Sequence, residues 1–103
     1  MRRVLHGDVI QLARVLFQSK PAARATLLER AFVETEAADQ YRLCNGQWHP
    51  RHGDGSLAGW AAGRARVPEP ALDDPDYAAC LALIFTRLAA RKPQQTQRWP
   101  ELT

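Results

Sequence analysis

The stretch NGQWHPRHGDGSL, residues 45–57, decides the fold that this sequence predicts. It places two histidines, a tryptophan, three glycines and a proline between two halves of the chain that carry helical patterns. Gly46 suits the end of a helix, because glycine tolerates the left-handed conformation, and Ser56 suits the N-cap of the next helix. A loop this long is uncommon unless it is anchored or used, so we expect Trp48 and His49 to pin it to the core.

Two helices are predicted before this loop. The first has Asp8 as its N-cap and runs to about Gln18, because apolar residues recur there at a spacing of three and four. The second runs from about Pro21 to Leu43 and carries two apolar stripes, of which one should meet the core and the other a partner. The core stripe is Leu27, Leu28, Ala31, Thr35 and Ala38, and the second is Val33, Ala37 and Cys44. The alternative is that the second stripe is ordinary surface.

Two helices are also predicted after the loop. A short one runs from Leu57 to about Ala65, and an extended connector with two prolines leads from it to Asp74. The last helix follows this aspartate and ends near Arg91. One of its faces carries Tyr77, Leu81, Ile84, Phe85 and Leu88, and the other carries Ala79, Leu83 and Ala90. A helix this apolar is usually buried on both sides, by its own domain or by another subunit.

The composition agrees with one small globular domain. The 103 residues suffice for a single core, and 46% hydrophobic with 24% charged residues argues against general disorder. We therefore predict an all-α fold of about four helices over residues 1–92, with a long central loop and an extended tail at 93–103. The two cysteines are too few for a disulfide framework, and the longest apolar run, residues 78–85, is too short to span a bilayer. The expected location is the cytoplasm.

The central loop is the candidate site for chemistry, because it contains Trp48, His49, His52, Asp54 and Ser56. Its two histidines and its aspartate, together with Cys44, are competent metal ligands. Their spacing is poor for structural zinc, however, and the only distant candidates are Cys80 and His6. We expect no metal and no cofactor, and a Cys/His metal-binding module stays an alternative.

A hydrolase would use Ser56 with one of the histidines and Asp54. The serine does not lie in a Gly-x-Ser-x-Gly elbow and no strand precedes it, so a role as a helix cap explains it without catalysis. The glycines at 53 and 55 could cradle an anion, although such a pair is more often a turn. The sequence predicts no catalytic residue, and we expect that the protein is not an enzyme.

The net charge of +3 permits contact with nucleic acid without indicating it. The residues expected to make weak, non-specific phosphate contacts are Arg2, Arg3, Arg14 and Lys20, with the segment from Arg87 to Arg98. Arg24, near the start of the second helix, is a further nucleic-acid candidate. A helix-turn-helix regulator is the alternative, because the turn at residues 19–21 joins the first two helices. The acidic residues along the second helix argue against it, because they repel phosphate.

Contact with a protein partner is the function that the sequence favours. The tail is polar until Trp99 and Leu102, which suits either a tether ending in a docking peptide or a strap folded back onto the domain. The second helix and the last helix contribute apolar residues outside their core faces. The predicted partner-binding residues are Val33, Ala37, Leu83, Trp99 and Leu102.

Several segments of the sequence carry a resemblance to other small helical proteins. These segments are Leu5–Val9, Glu36–Arg42, His49-Pro50 with Gly53–Leu57, and Pro68–Pro70 with Leu72–Tyr77. With these segments the chain resembles small uncharacterised helical proteins of alphaproteobacteria, and its size and helical content are similar to the small-terminase-type packaging proteins of gene transfer agents. That resemblance implies oligomerisation through helices and delivery of DNA to a motor subunit. We therefore expect a helical adaptor that self-associates or docks a protein partner, and the resemblance implies a DNA-packaging accessory.

Overall fold

A computed structural model describes residues 1–91, and these residues form four α-helices without a strand. The helices are α1 (His6–Gln18), α2 (Arg24–Asn45), α3 (Leu57–Ala62) and α4 (Pro75–Ala90), and a short 3-10 helix, Pro21–Ala23, precedes α2. The predicted all-α fold with a long central loop is confirmed. The predicted tail, which contains Trp99 and Leu102, lies outside the described residues.

The start of α1 differs from the prediction. The helix begins at His6, and Asp8 lies inside its first turn instead of capping it. The Asp8 carboxylate accepts hydrogen bonds from the Leu5 N–H at 2.8 Å and from the Ala58 N–H at 2.9 Å. An aspartate in the first turn can satisfy a backbone donor as well as an N-cap can. Here it also joins the start of α1 to the start of α3.

The other helix ends follow local signals. Gly46 ends α2 with φ 70°, and the Ser56 hydroxyl caps α3 by accepting from the Gly59 N–H at 3.0 Å. The Asp74 carboxylate caps α4 by accepting from two backbone N–H groups, each at 3.0 Å. These three predictions are confirmed. The third helix is shorter than predicted, because it ends at Ala62 before the Gly63 position.

The core lies where α1 packs against α3 and α4, while α2 and α4 touch only lightly. Its largest fully buried side chains include Trp60 from α3 and Tyr77 from α4. The Tyr77 ring meets Phe17 of α1 edge to face, with 5.7 Å between ring centroids. The apolar face of α1 contributes five residues to the same buried cluster: Val9, Leu12, Ala13, Val15 and Leu16.

The predicted core stripe of α2 is largely confirmed, since Leu28, Ala31, Thr35 and Ala38 are buried. Phe32 is also buried, which the stripe did not include. On α4, Phe85 is half exposed in the single chain, whereas Cys80, which neither predicted face included, is buried in the core. Among residues 1–91 no helix is long and apolar enough to cross a bilayer.

The prediction that Trp48 pins the central loop to the core is wrong. Its side chain is 67% exposed, whereas Trp60, twelve positions later, is fully buried. The loop is held by polar contacts, among them the backbone hydrogen bonds that join His49 and Gly53 in both directions at 2.8 and 3.2 Å. Cys44, on the second predicted stripe of α2, is exposed.

Candidate protein-interaction groove

An open groove runs between α2 and α4, and we call it the α2–α4 groove. It consists of two adjoining depressions of about 370 and 240 Å³. The first is lined on its apolar side by Phe32, Val33 and Ala37 of α2, and the second by residues of both helices: Ala25, Leu28, Leu83 and Ala90. The groove exists because α2 and α4 each pack mainly onto other elements and touch only lightly.

One ion pair separates the two depressions. The Arg87 guanidinium donates to the Glu29 carboxylate from both Nε and Nη2, and its centre lies 4.8 Å from the centroid of the Phe32 ring. The hydrogen bond with Glu29 raises the pKa of Arg87 above its ordinary value. The groove therefore has an ion pair at its middle.

Further charges lie at the end of the groove beside α2. The amino group of Met1 lies 2.5 Å from the Glu36 carboxylate and 3.0 Å from Asp39, and Arg91 lies 3.6 Å from Glu36. Burial acts to raise the pKa of Asp39, but hydrogen bonds from Arg42 and the amino group outweigh burial and lower it. The apolar lining of the groove is therefore bordered by paired acidic and basic groups.

Three of the five predicted partner-binding residues line this groove. Val33 is 67% exposed and Ala37 is exposed beside it, while Leu83 lies partly buried in the second depression. Trp99 and Leu102 lie outside the described residues. The sequence reasoning missed Phe32 and the Glu29–Arg87 pair, although Phe32 next to Val33 indicates a helix that is apolar beyond its core stripe.

The histidines of the central loop pack against each other. The rings of His49 and His52 stack with centroids 4.6 Å apart, and Tyr41 meets His49 edge to face at 5.0 Å. Nδ1 of His49 accepts from the backbone N–H groups of Arg51 and His52 at 3.0 and 3.1 Å. This nitrogen therefore stabilises the turn at residues 49–52 as a hydrogen-bond acceptor.

Glu34 of α2 connects the loop to α3. Its carboxylate accepts from Trp60 Nε1 at 2.9 Å, Arg64 at 2.8 Å and Arg30 at 2.9 Å, and it lies 3.5 Å from Nδ1 of His52. Burial acts to raise the pKa of Glu34, but the hydrogen bonds from Arg30 and Trp60 outweigh burial and lower it. Burial lowers the pKa of His52, which favours the neutral form of its ring.

Ser56 and Asp54 are joined to each other. The Ser56 hydroxyl donates to Asp54 Oδ1 at 2.6 Å, and the same carboxylate oxygen accepts from the Ser56 N–H at 3.0 Å. Within residues 1–91 neither histidine of the loop donates to this pair or accepts from it. The same part of the chain brings together no three His, Cys, Asp or Glu side chains in a way that could hold a metal ion.

The basic residues predicted to meet nucleic acid lie in different environments. Arg2, Arg3 and Lys20 are exposed, whereas Arg14 donates from Nε to the Val67 carbonyl at 2.7 Å. Arg24 is buried, and the structure corrects its predicted role. Its guanidinium donates to the Asp76 carboxylate and to two carbonyl groups at the end of α1, so it holds helices together and does not face a phosphate.

The fold and the groove define a small all-α protein with an open interhelical groove. Residues 2–88 match the family model described as "Domain of unknown function (DUF7742)", and the chain belongs to this family. No curated protein and no solved structure matches the chain.

Proposed function

We propose that this protein is a non-enzymatic binding module that self-associates or docks a protein partner through the α2–α4 groove. The observation that carries the proposal is the exposed Val33 side chain beside an open depression with an apolar lining. An amphipathic helix or an extended segment that places an apolar side chain in such a groove removes both surfaces from water. Full burial of one valine-sized side chain contributes about 1.5–3 kcal/mol.

The charged residues of the groove would determine the direction in which a partner segment binds. Glu29 and Arg87 lie at its middle, and Glu36 and Arg91 lie near one end. Charged groups beside an apolar contact select the partner and its direction more than they add affinity. A bound segment would therefore carry apolar residues for Val33 and Leu83 and polar residues for the ion pairs.

The test is light scattering coupled to size exclusion, applied to the full chain across micromolar concentrations. We expect a mass above that of the monomer, and we expect Val33→Glu to reduce it to the monomer. Leu72→Glu is the matched control, because Leu72 is 64% exposed and lies on the connector before α4, outside the groove. A strictly monomeric wild-type chain would reject self-association.

Docking of a different protein is tested by a photo-crosslinking residue placed at position 33 or, as a control, at position 72. Crosslinks to one defined partner from position 33 alone support the groove. Equal crosslinking from both positions would contradict a specific site, because exposed apolar side chains also make non-specific contacts.

We also propose weak, non-specific contact with nucleic acid, supported by the net charge of +3 and by the exposed Arg2, Arg3 and Lys20. Together with self-association, this contact would suit the packaging accessory that the resemblance implies. The helix-turn-helix alternative is weaker, because Arg24 is an internal residue. Fluorescence anisotropy with duplex DNA tests the contact: we expect binding that disappears in moderate salt. Tight, sequence-selective binding would favour the regulator.

A further inference from the structure

One apolar surface on α2 lies beyond the end of α4. Leu43 is 63% exposed, and Ala37 and Gln40 are exposed on the same helix. Successive positions such as 36, 40 and 43 lie on one side of an α-helix. The exposed leucine therefore continues the side of α2 that lines the groove at Glu36 and Gln40.

The direction of α4 determines which part of the chain reaches this surface. Arg87 pairs with Glu29, and Arg91, one turn later, lies near Glu36, so α4 and α2 run in the same direction along the groove. The α4 helix ends at Ala90, whereas α2 continues from Glu36 to Asn45. Nine more residues of helix extend α2 by about 14 Å.

We propose that residues 92–103 of the same chain bind along this second half of α2, from Ala37 to Leu43, and cover its apolar side chains with Trp99 or Leu102. Arg91, the last residue before the segment, lines the groove at Gln40 and so starts it at the proposed surface. Twelve residues can span up to about 40 Å when extended, which exceeds the 14 Å that has to be covered.

The composition of the segment fits the surface. It has two large apolar residues, Trp99 and Leu102, which can cover the exposed Leu43 side chain. Attachment in the same chain gives a short segment an effective concentration on the order of millimolar, so even a weak contact would be occupied. Val33 and Leu83 lie further back along the groove and stay available for the partner of the proposed function.

The test is fluorine NMR of the full chain labelled with 5-fluorotryptophan, which reports Trp48, Trp60 and Trp99 separately. Trp48→Phe and Trp99→Phe assign the signals. We expect the Trp99 signal to differ from that of a free peptide of residues 92–103 and to move to the peptide position in Leu43→Glu. Leu72→Glu is the matched control, since it makes the same change at a leucine of nearly equal exposure and should leave the signal in place.

Several outcomes would overturn the inference. One is a Trp99 signal that already coincides with the free peptide in the wild-type chain, and another is a signal that ignores Leu43→Glu. A signal that moves to the peptide position on dilution would show the segment on a second copy instead. An unchanged Trp60 signal establishes that each variant is folded. The proposed function is judged separately from Val33→Glu, so either idea can fail without the other.

Discussion

Arg24 shows how a single residue can hold three elements together. Its guanidinium donates to the Leu16 and Phe17 carbonyls at 2.8 and 3.1 Å, which are among the last acceptors of α1. It also forms a two-bond pair with Asp76 in the first turn of α4, at 2.7 and 3.0 Å. Arginine suits this position because its planar group presents several donors in a fixed geometry.

We expect Arg24→Ala to lower the free energy of unfolding by about 2–3 kcal/mol, since it removes the hydrogen bonds to the Leu16 and Phe17 carbonyl groups and to the Asp76 carboxylate. Arg24→Lys should recover only part of this loss, because one ammonium group cannot reach all four acceptors. Urea denaturation measures both variants. Arg30→Ala is the control on the same helix: its exposed pair with Glu34 should be worth less than about 1 kcal/mol. Equal losses at positions 24 and 30 would contradict the internal role of Arg24.

The lowered pKa of His52 predicts that the stability of the protein depends on pH. Burial lowers its pKa in the folded protein below the ordinary 6.5, so the unfolded chain takes up a proton first as the pH falls. The stabilising contribution is present above about pH 6.5 and is lost as the pH falls towards the folded pKa. Urea midpoints from about pH 7.5 to about pH 5 should therefore decrease.

The substitution His52→Gln should make this decrease smaller, because it removes the titrating ring. His6→Gln is the matched control at an exposed position and should keep the full decrease. An unchanged pH profile in His52→Gln would assign the dependence to other groups. Carbon-bound ring protons followed by NMR give the His52 titration directly, and we expect its midpoint below 6.5.

The central loop, considered as an element, depends on glycines at particular turns. Gly55 has φ +90°, and a Cβ atom there would lie 2.7 Å from Asp39 Oδ1 and 2.9 Å from Asp39 Cα. Both the left-handed backbone and the approach of α2 therefore require glycine. The close approach places the loop against the same aspartate that meets the amino group of Met1.

We expect Gly55→Ala to destabilise the protein by at least about 1–3 kcal/mol, from backbone strain together with the clash. Gly7→Ala is the opposite control: Gly7 lies in α1 with nothing within 4 Å of the added Cβ, so this variant should gain about 0.5–1 kcal/mol. Thermal unfolding followed by circular dichroism compares them. A gain in stability from Gly55→Ala would show that the loop can move away from α2.

On the scale of the whole molecule, Trp60 is a core side chain that contacts more than one element. This side chain is fully buried, donates to Glu34 at 2.9 Å, and is covered by the Arg64 guanidinium 3.7 Å from its ring centroid. It thereby joins α3 to α2 and to the residues that follow α3. Trp48 has none of this burial.

We expect Trp60→Ala to cost about 3–5 kcal/mol, which is a large part of the total stability of a small domain. Trp48→Ala should change stability by less than about 0.5 kcal/mol. Urea denaturation followed at the helical circular dichroism band distinguishes the two. A comparable loss in both variants would mean that Trp48 also packs into the core, contrary to its exposure.

Much of the secondary structure was predictable because its signals are local. Asp74, Ser56 and Gly46 act within one helical turn, and the stripe of α2 that contains Leu28 and Ala31 follows from helical spacing alone. The sequence also separated Val33 from that stripe, which located one side of the groove. These properties depend on neighbours within a few positions, and the chain alone determines them.

The burial of particular side chains was decided only by the tertiary structure. Trp48 and Trp60 are the same residue type, yet the first is exposed and the second is fully buried. Arg24 resembles the basic residues around it until α4 brings Asp76 to its guanidinium. The groove likewise exists only because α2 and α4 pack mainly onto other elements. Contacts between residues distant in sequence depend on how helix faces meet, and local pattern does not specify that.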